Sequence, residues 1–215
     1  MKNERQLIYD CFVSNDRLRP ALKYPFWQHD KLCATSGSVL IRIDKNLVDD
    51  PDLVPKFPKN QKLPETNSVI PETTLNIPLT QQKIKKAVQK ADIVDEYTPC
   101  EECYNTGIVE WYYESLEGLY KKEDKCPVCD GEGHLGKNGN KIPDPKQLYQ
   151  IKRLFFTGET IAWLLEVMDL LETSKLTVSG QNPYVLLLTM PGVEILIANH
   201  LFDEDDNTED IIKIL

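Results

Sequence analysis

Two cysteine pairs constrain this chain more than any other feature: Cys100 and Cys103 in "CEECYNTG" (100–107), and Cys126 and Cys129 in "CPVCDGEG" (126–133). A C-x-x-C turn lets both thiolates reach one ion while backbone N–H groups donate to the sulfurs. Two such turns supply four thiolates, a complete tetrahedral shell for Zn2+. The glycines that follow each pair let the chain bend sharply where a Cβ would obstruct it. The spacing C-x2-C-x22-C-x2-C then requires the 22 intervening residues to double back. The stretch "VEWYYESLEGLYK" within them is read as two strands of a small hairpin. A filled shell has no position left to activate a water or polarise a substrate, so Cys100, Cys103, Cys126 and Cys129 are expected to hold structure.

Other uses of the cysteines fit this sequence less well. A redox C-x-x-C needs a thioredoxin-like βαβ setting, which the flanking sequence lacks. An iron–sulfur cluster also takes four thiolates, and the spacing leaves it open. His134 follows the second pair as a competing ligand, but with four cysteines present it reads as a surface residue. His29 and His200 stand away from the cysteine pairs and are read as part of no constellation. Cys11 and Cys33 stand alone among apolar or small residues and read as buried thiols.

At 215 residues and 41% apolar composition, the chain suits one large domain, or one domain with an insertion. No apolar run reaches the ~18 residues of a membrane span, and "MKNERQLIYD" reads as a charged amphipathic helix rather than a signal peptide. A cytoplasmic location is the resulting expectation. The net charge of −9 is uneven, since six acids stand in "DEDDNTED" near the C-terminus. Residues 203–215 are read as an acidic tail, disordered, solubilising or masking a basic surface. "KIKKAVQK" (83–90) is a basic stretch, read as the solvated face of a helix.

Along the chain, residues 4–15 place Leu7, Ile8, Cys11 and Phe12 on one helical face. "ALKYPFW" and "KLCATSGSVLIRI" read as short strands, with a turn at Gly37. Val39, Ile41 and Ile43 lie on one side and Leu40 on the other, so the first half of this strand is expected to be covered on both faces. Residues 44–79 hold six of the fourteen prolines and read as a long irregular excursion outside the core. Thr80 is expected to cap a helix running to about Ala91. "GKNGNKIPDP" reads as a polar linker and "LYQIKRLFF" as one strand. "GETIAWLLEVMDLLE" is a helix, followed by the strands "KLTVSG", "YVLLLTM" and "VEILIAN". A helix followed by three strands thus occurs twice, which suggests a repeated α+β unit.

Two resemblances follow from these residues. "CPVCDGEG" resembles the C-x-x-C-x-G-x-G repeat of the cysteine-rich domain of J-protein chaperones; "CEECYNTG" keeps Gly107 but has Asn105 where the first glycine would stand. The family's four repeats and its His-Pro-Asp motif are absent, so this resemblance implies zinc binding rather than chaperone activity. "CATSGSVLIRI" (33–43) resembles the strand–turn–strand of bacterial DNA sliding clamps, typically Ala-Thr-Asp-Gly-His-Arg-Leu. Ala34, Thr35, Gly37 and Leu40 hold their places, while Ser36, Ser38 and Val39 replace the Asp, His and Arg. That resemblance implies an α+β fold: a single clamp-like domain of two helix-plus-antiparallel-strand halves, with an inserted four-cysteine zinc-ribbon hairpin. The halves would occupy 1–97, including the 44–79 excursion, and 137–202, with the insertion at 98–136. Bacterial clamps string three such domains per chain and pair two chains into a ring whose inner helices carry Lys and Arg.

On this basis the expected function is a non-enzymatic interaction protein, phage-type or of mobile-element DNA metabolism, with a protein partner that includes self-association. DNA binding is weakened by the acidic helix at 159–172, and no membrane role is expected. Two alternatives stand beside it. One is a nucleic-acid-binding module that stacks bases on Trp111, Tyr112, Tyr113 and Tyr120 of the hairpin, unless these rings simply cover its small core. The other is a zinc-dependent chaperone-like module. No nucleophile–base pair, phosphate-cradling loop or open metal shell argues for an enzyme.

Overall fold

Hydrophobic alternation on both faces of "VLIRI" places this segment in the middle of a sheet rather than at its edge. The structure, a computed structural model, describes residues 3–14, 19–50, 52–55, 62–115, 118–202 and 210–215. The chain opens with helix α1 (Glu4–Cys11), followed by the meander β1 (Phe26–Gln28), β2 (Lys31–Thr35) and β3 (Val39–Asp44). After the proline-rich segment come β4 (Ile77–Thr80) and α2 (Gln81–Val88). A separate unit, residues 92–144, contains β5 (Ile93–Pro99), β6 (Ile108–Ser115), β7 (Gly118–Lys125) and β8 (His134–Pro143). The first unit then resumes with β9 (Leu148–Ile151), β10 (Leu154–Thr157), α3 (Gly158–Leu170), β11 (Lys175–Gln181), β12 (Val185–Met190), β13 (Val193–Ala198) and β14 (Ile212–Lys213).

The main sheet has seven strands in the order β1-β2-β3-β13-β12-β11-β4. Its first six strands are two three-stranded meanders that meet antiparallel at their last strands, β3 and β13, with Ile41 opposite Ile195. Each meander follows its own helix, α1 or α3, and those two helices pack together: Trp163 Nε1 donates to the Cys11 carbonyl at 3.1 Å, and the Trp163 ring meets Phe12 edge-on at 5.3 Å. The order is the same read from either end, which is how two copies of a helix-plus-three-strand unit combine into one sheet.

Alternate residues along these strands serve two cores. Leu32, Ala34, Ile41, Ile43, Leu186, Leu188, Ile195 and Ile197 face the helices. Cys33, Leu40, Leu187 and Leu196 face the opposite side, where Leu63 and Ile70 cover them. The proline-rich segment is irregular as expected, but it lies against the core rather than outside it. Thr66 is buried on this side, Leu53 packs in the main core, and the Leu75 amide donates to Ser179 O at 2.9 Å. A Cβ on Gly180 would stand 2.4 Å from Glu72 O, so a glycine is what lets this segment lie directly on β11. Arg42 is the charged exception on this face, paired across the strands with Glu194 at 3.3 Å and donating to Asn67 Oδ1 at 2.8 Å.

Local chemistry sets the helix ends. Thr80 and Thr157 cap α2 and α3, accepting from Lys83 N and Thr160 N at 3.3 Å each. After α3, Glu172 turns left-handed (φ 52°), and the Thr173 and Glu172 amides return to Met168 O and Asp169 O, closing the helix with a Schellman motif. Buried Glu4 anchors the loop after β3: its carboxylate accepts from the Asp49 and Asp50 amides at 3.0 to 3.1 Å.

Four expectations need correction. "ALKYPFW" is a single 3-10 turn (Pro20–Leu22) and then the short β1, because Pro20 and Pro25 interrupt strand pairing. "LYQIKRLFF" is a hairpin, β9–β10, turned at Lys152 with φ 59°. "GKNGNKIPDP" is not a linker: most of it forms β8, paired with β5, so the inserted unit spans 92–144 rather than 98–136. The end of the acidic 203–215 segment is a strand, β14, parallel to β9, with Ile212, Ile214 and Leu215 packed on the core. Residues 203–209 lie outside the described residues.

Candidate metal centre

The inserted unit is one long antiparallel hairpin interrupted at its middle. β5 pairs with β8 at the base, β6 pairs with β7 at the tip, and between them lie two turns, 100–107 and 126–133. The two turns repeat each other bond for bond. Asn105 N–H donates to Cys100 O and Gly131 N–H to Cys126 O, both at 3.2 Å; Thr106 donates to Cys103 O and Glu132 to Cys129 O, both at 3.0 Å. The Gly107 amide donates to Cys103 Sγ at 3.3 Å and the Gly133 amide to Cys129 Sγ at 3.2 Å. The turns are also tied to each other: Cys100 N–H donates to Gly133 O at 3.0 Å, and Cys126 N–H to Gly107 O at 2.8 Å.

Gly107 and Gly133 are required by close approach as well as by positive φ (72° and 78°). A Cβ on Gly107 would lie 2.2 Å from Gly131 O, and one on Gly133 would lie 2.4 Å from Asn105 O. Gly131 differs. Its added Cβ would meet only the flexible Lys125 side chain, at 3.2 Å. Asn105, the counterpart of Gly131, has φ 67°, a conformation asparagine tolerates better than most side chains. The departure from the C-x-x-C-x-G-x-G pattern at Asn105 therefore falls on the position that can accept it.

These turns bring all four thiols together. The ligand atoms of Cys100, Cys103, Cys126 and Cys129 lie within 4.8 Å of one another, and all four residues are buried. Cys100 Sγ is 3.8 Å from Cys126 Sγ, and Cys103 Sγ is 3.7 Å from Cys129 Sγ. A disulfide needs ~2.05 Å. Four sulfurs each ~2.3 Å from one tetrahedral ion are ~3.8 Å apart, so the donor set fits a single metal ion. A cluster would insert its own iron and sulfide atoms and spread the ligands further. A backbone hydrogen bond from Cys103 holds the Cys100 thiol down, but burial and the three neighbouring thiols outweigh it and push it up to about 11. Cysteine binds a metal ion as the thiolate, so an ion held between these four sulfurs would bring its own compensating charge.

The other candidates lie apart from this cluster. The His134 ring stacks on Tyr97 with centroids 4.2 Å apart and does not join the thiols. His29 pairs with Glu65 at 3.4 Å. Ser36, Gly37 and Ser38 form the β2–β3 turn, where the Gly37 amide donates to Thr35 Oγ1 at 3.0 Å. Cys11 and Cys33 are buried free thiols, as expected. Burial, then Glu166 and Asp10, pushes Cys11 up to about 11, and burial also raises Cys33.

The aromatic residues of the tip hairpin do not cover a core. Trp111, Tyr112, Tyr113 and Tyr120 are 54%, 61%, 68% and 52% exposed, because β6 and β7 pair only with each other. Tyr113 stands opposite Tyr120 and Trp111 opposite Lys122, which puts three rings on one face. Tyr112 is on the other face, donating to Glu110 Oε2 at 2.6 Å. Lys121 foremost, then Tyr112, holds the Glu110 carboxyl below its ordinary value.

No protein-family model matches the chain, and no curated protein matches it. Among solved structures it is similar to bacterial sliding clamps. The DNA polymerase III subunit beta of Borrelia burgdorferi is 14% identical with a TM-score of 0.46, covering 94% of this chain and 63% of that one. The Caulobacter crescentus beta sliding clamp is 12% identical with a TM-score of 0.47, covering 92% and 62%. The Bacillus subtilis DNA polymerase sliding clamp is 16% identical with a TM-score of 0.44, covering 93% and 62%. The chain spans less than two thirds of the length of each. No helix among the described residues is long and apolar enough to cross a membrane.

Proposed function

We propose that this chain is a non-enzymatic, clamp-like interaction protein of phage-type or mobile-element DNA metabolism, working in the cytoplasm, with a structural zinc ion in its inserted ribbon. The observation that carries the reading is the meeting of two helix-plus-three-strand units at β3 and β13. "CATSGSVLIRI" forms β2, its turn and β3, where the resemblance requires a strand–turn–strand. Four thiols spaced for one ion support Zn2+ held by Cys100, Cys103, Cys126 and Cys129. A closed shell supports a structural rather than a chemical task for that ion.

A single clamp-like domain needs several copies to surround a duplex, so self-association is part of the proposal. Gel filtration with light scattering is expected to show an oligomer. Its affinity for duplex DNA is expected to fall at least tenfold between about 50 and about 200 mM salt, through counterion release. A strict monomer with no salt-dependent affinity removes the clamp role and leaves the fold intact.

The exposed tip aromatics favour a second reading, a single-stranded nucleic-acid contact through Trp111, Tyr113 and Tyr120. Glu110 and Glu114 on the same ribbon oppose phosphate. Quenching of Trp111 emission by single-stranded oligonucleotides at low salt is the expected signature. Trp27 and Trp163 contribute background, so a Trp111→Phe control is needed, and an unchanged difference spectrum removes this reading. The chaperone-like alternative rests on the C-x-x-C-x-G-x-G residues alone.

A further inference from the structure

The helices on the core side of the main sheet divide their charge by element. Every exposed charge of α2 and the turn after it is basic: Lys83, Lys85, Lys86 and Lys90, with Ile84 and Ala87 turned to the core. The exposed line of α3 is Glu159, Ala162, Glu166 and Asp169, and α3 has no basic residue. The two helices are neighbours, joined by a hydrogen bond from Gln81 Nε2 to Asp169 Oδ1 at 2.5 Å. Yet among the described residues no lysine of α2 forms an ion pair with a carboxylate of α3. Beside α2 runs an open concavity of about 560 Å3, lined by Lys85, Lys86, Gln82 and Gln89. The exposed bases of α2 and the exposed acids of α3 thus stand on neighbouring helices.

We propose that this surface docks a second copy of the chain, with α2 of each copy against α3 of the other. The inference rests on the self-association proposed above and names one closed pairwise contact within it; enclosing a duplex takes a second interface between copies. A two-fold axis reverses the order of neighbouring helices, so each basic element meets an acidic one and every contact occurs twice. Lys83, Lys86 and Lys90 are spaced three and four residues apart, as are Glu159, Ala162, Glu166 and Asp169, so both lines run along one side of their helices. A nucleic acid satisfies only half of this surface. Packed helices lie ~8–10 Å apart, so phosphates along α2 would stand about one Debye length from the α3 carboxylates. Surface ion pairs are individually weak, which makes the dimer concentration-dependent and sensitive to salt.

Sedimentation of the full, metal-loaded chain over a concentration series tests this. The dimer dissociation constant is expected to rise at least tenfold between about 0.1 M and about 1 M NaCl, where the Debye length falls from ~10 to ~3 Å. Two charge-reversed proteins, K83E/K86E/K90E and E159K/E166K/D169K, are each expected to be monomeric, and to form a one-to-one heterodimer when mixed. The single changes K86E and E166K give the same pattern, weaker, should a triple variant unfold. A wild-type chain that stays monomeric overturns the proposal. A dimer indifferent to salt and to both reversals also overturns it, while leaving self-association in place through another surface. If K83E/K86E/K90E instead loses binding to a duplex oligonucleotide and mixing restores nothing, the basic helix serves nucleic acid and the proposal fails.

Discussion

Removing the metal with a chelator is expected to unfold residues 92–144 while the rest of the chain stays folded. The inserted unit has almost no apolar core of its own. Its buried cluster is the four cysteines with Val109 packed against them, and its ribbons expose most of their side chains. An isolated two-stranded hairpin is marginally stable at best in water. A structural zinc ion contributes roughly 10–16 kcal/mol of apparent binding free energy in small zinc modules, far more than such ribbons supply themselves. The first unit depends on none of this: its core joins α1, α2 and α3 to the main sheet and includes no metal-site cysteine. Hydrogen exchange read by mass spectrometry should show amides of 92–144 becoming unprotected. Those of β3, β12 and β13 should remain slow, with the main thermal transition moving by no more than a few degrees. Global unfolding would make the metal part of the main core, and unchanged exchange in 92–144 would remove its structural role.

The replacement Gly133→Ala is expected to weaken metal affinity roughly 100-fold, as much as losing a partner of the ligands does in other metal sites. The added Cβ would stand 2.4 Å from a backbone oxygen, Asn105 O, which no rotamer change can move. Relief requires the two turns to separate, and that breaks the Cys100–Gly133 hydrogen bond and the amide donation to Cys129 Sγ. Gly107→Ala is expected to behave alike, through Gly131 O. Gly131→Asn is expected to change affinity by no more than a few fold, because it recreates in the second turn what Asn105 already provides in the first. Competition with a chromophoric chelator measures all three. Equal losses for Gly131→Asn and Gly133→Ala would sink the close-approach account.

What could be read along the chain, and what could not, follows from how local each signal is. The two knuckles were legible because their geometry is written within eight residues each: two cysteines, a left-handed position and a glycine. The interior strands were legible too, since "VLIRI" and "YVLLLTM" put apolar residues on both faces and only a covered strand does so. β8 was missed because its residues are mostly exposed and polar, so no apolar alternation marks it; backbone pairing with β5 makes it a strand. β14 was missed for a different reason. Its partner β9 lies some sixty residues earlier, and an acidic stretch precedes it, so nothing nearby announces the pairing. The tip aromatics left two readings open, stacking on bases or covering a small core, and exposure decides against the cover because β6 and β7 have no second layer to face.

The sequence by itself determined the four-thiol knuckles, the Thr80-capped helix and the repeated helix-plus-three-strand pattern, because each depends on spacing and side-chain type over one turn or one strand. Only the tertiary structure decided that the two meanders join at β3 and β13, that the proline-rich segment seals the second face of the sheet, and that a basic and an acidic helix lie side by side. Those are pairings between residues far apart in the chain. Burial of both sheet faces selects them collectively, and no single segment carries that information.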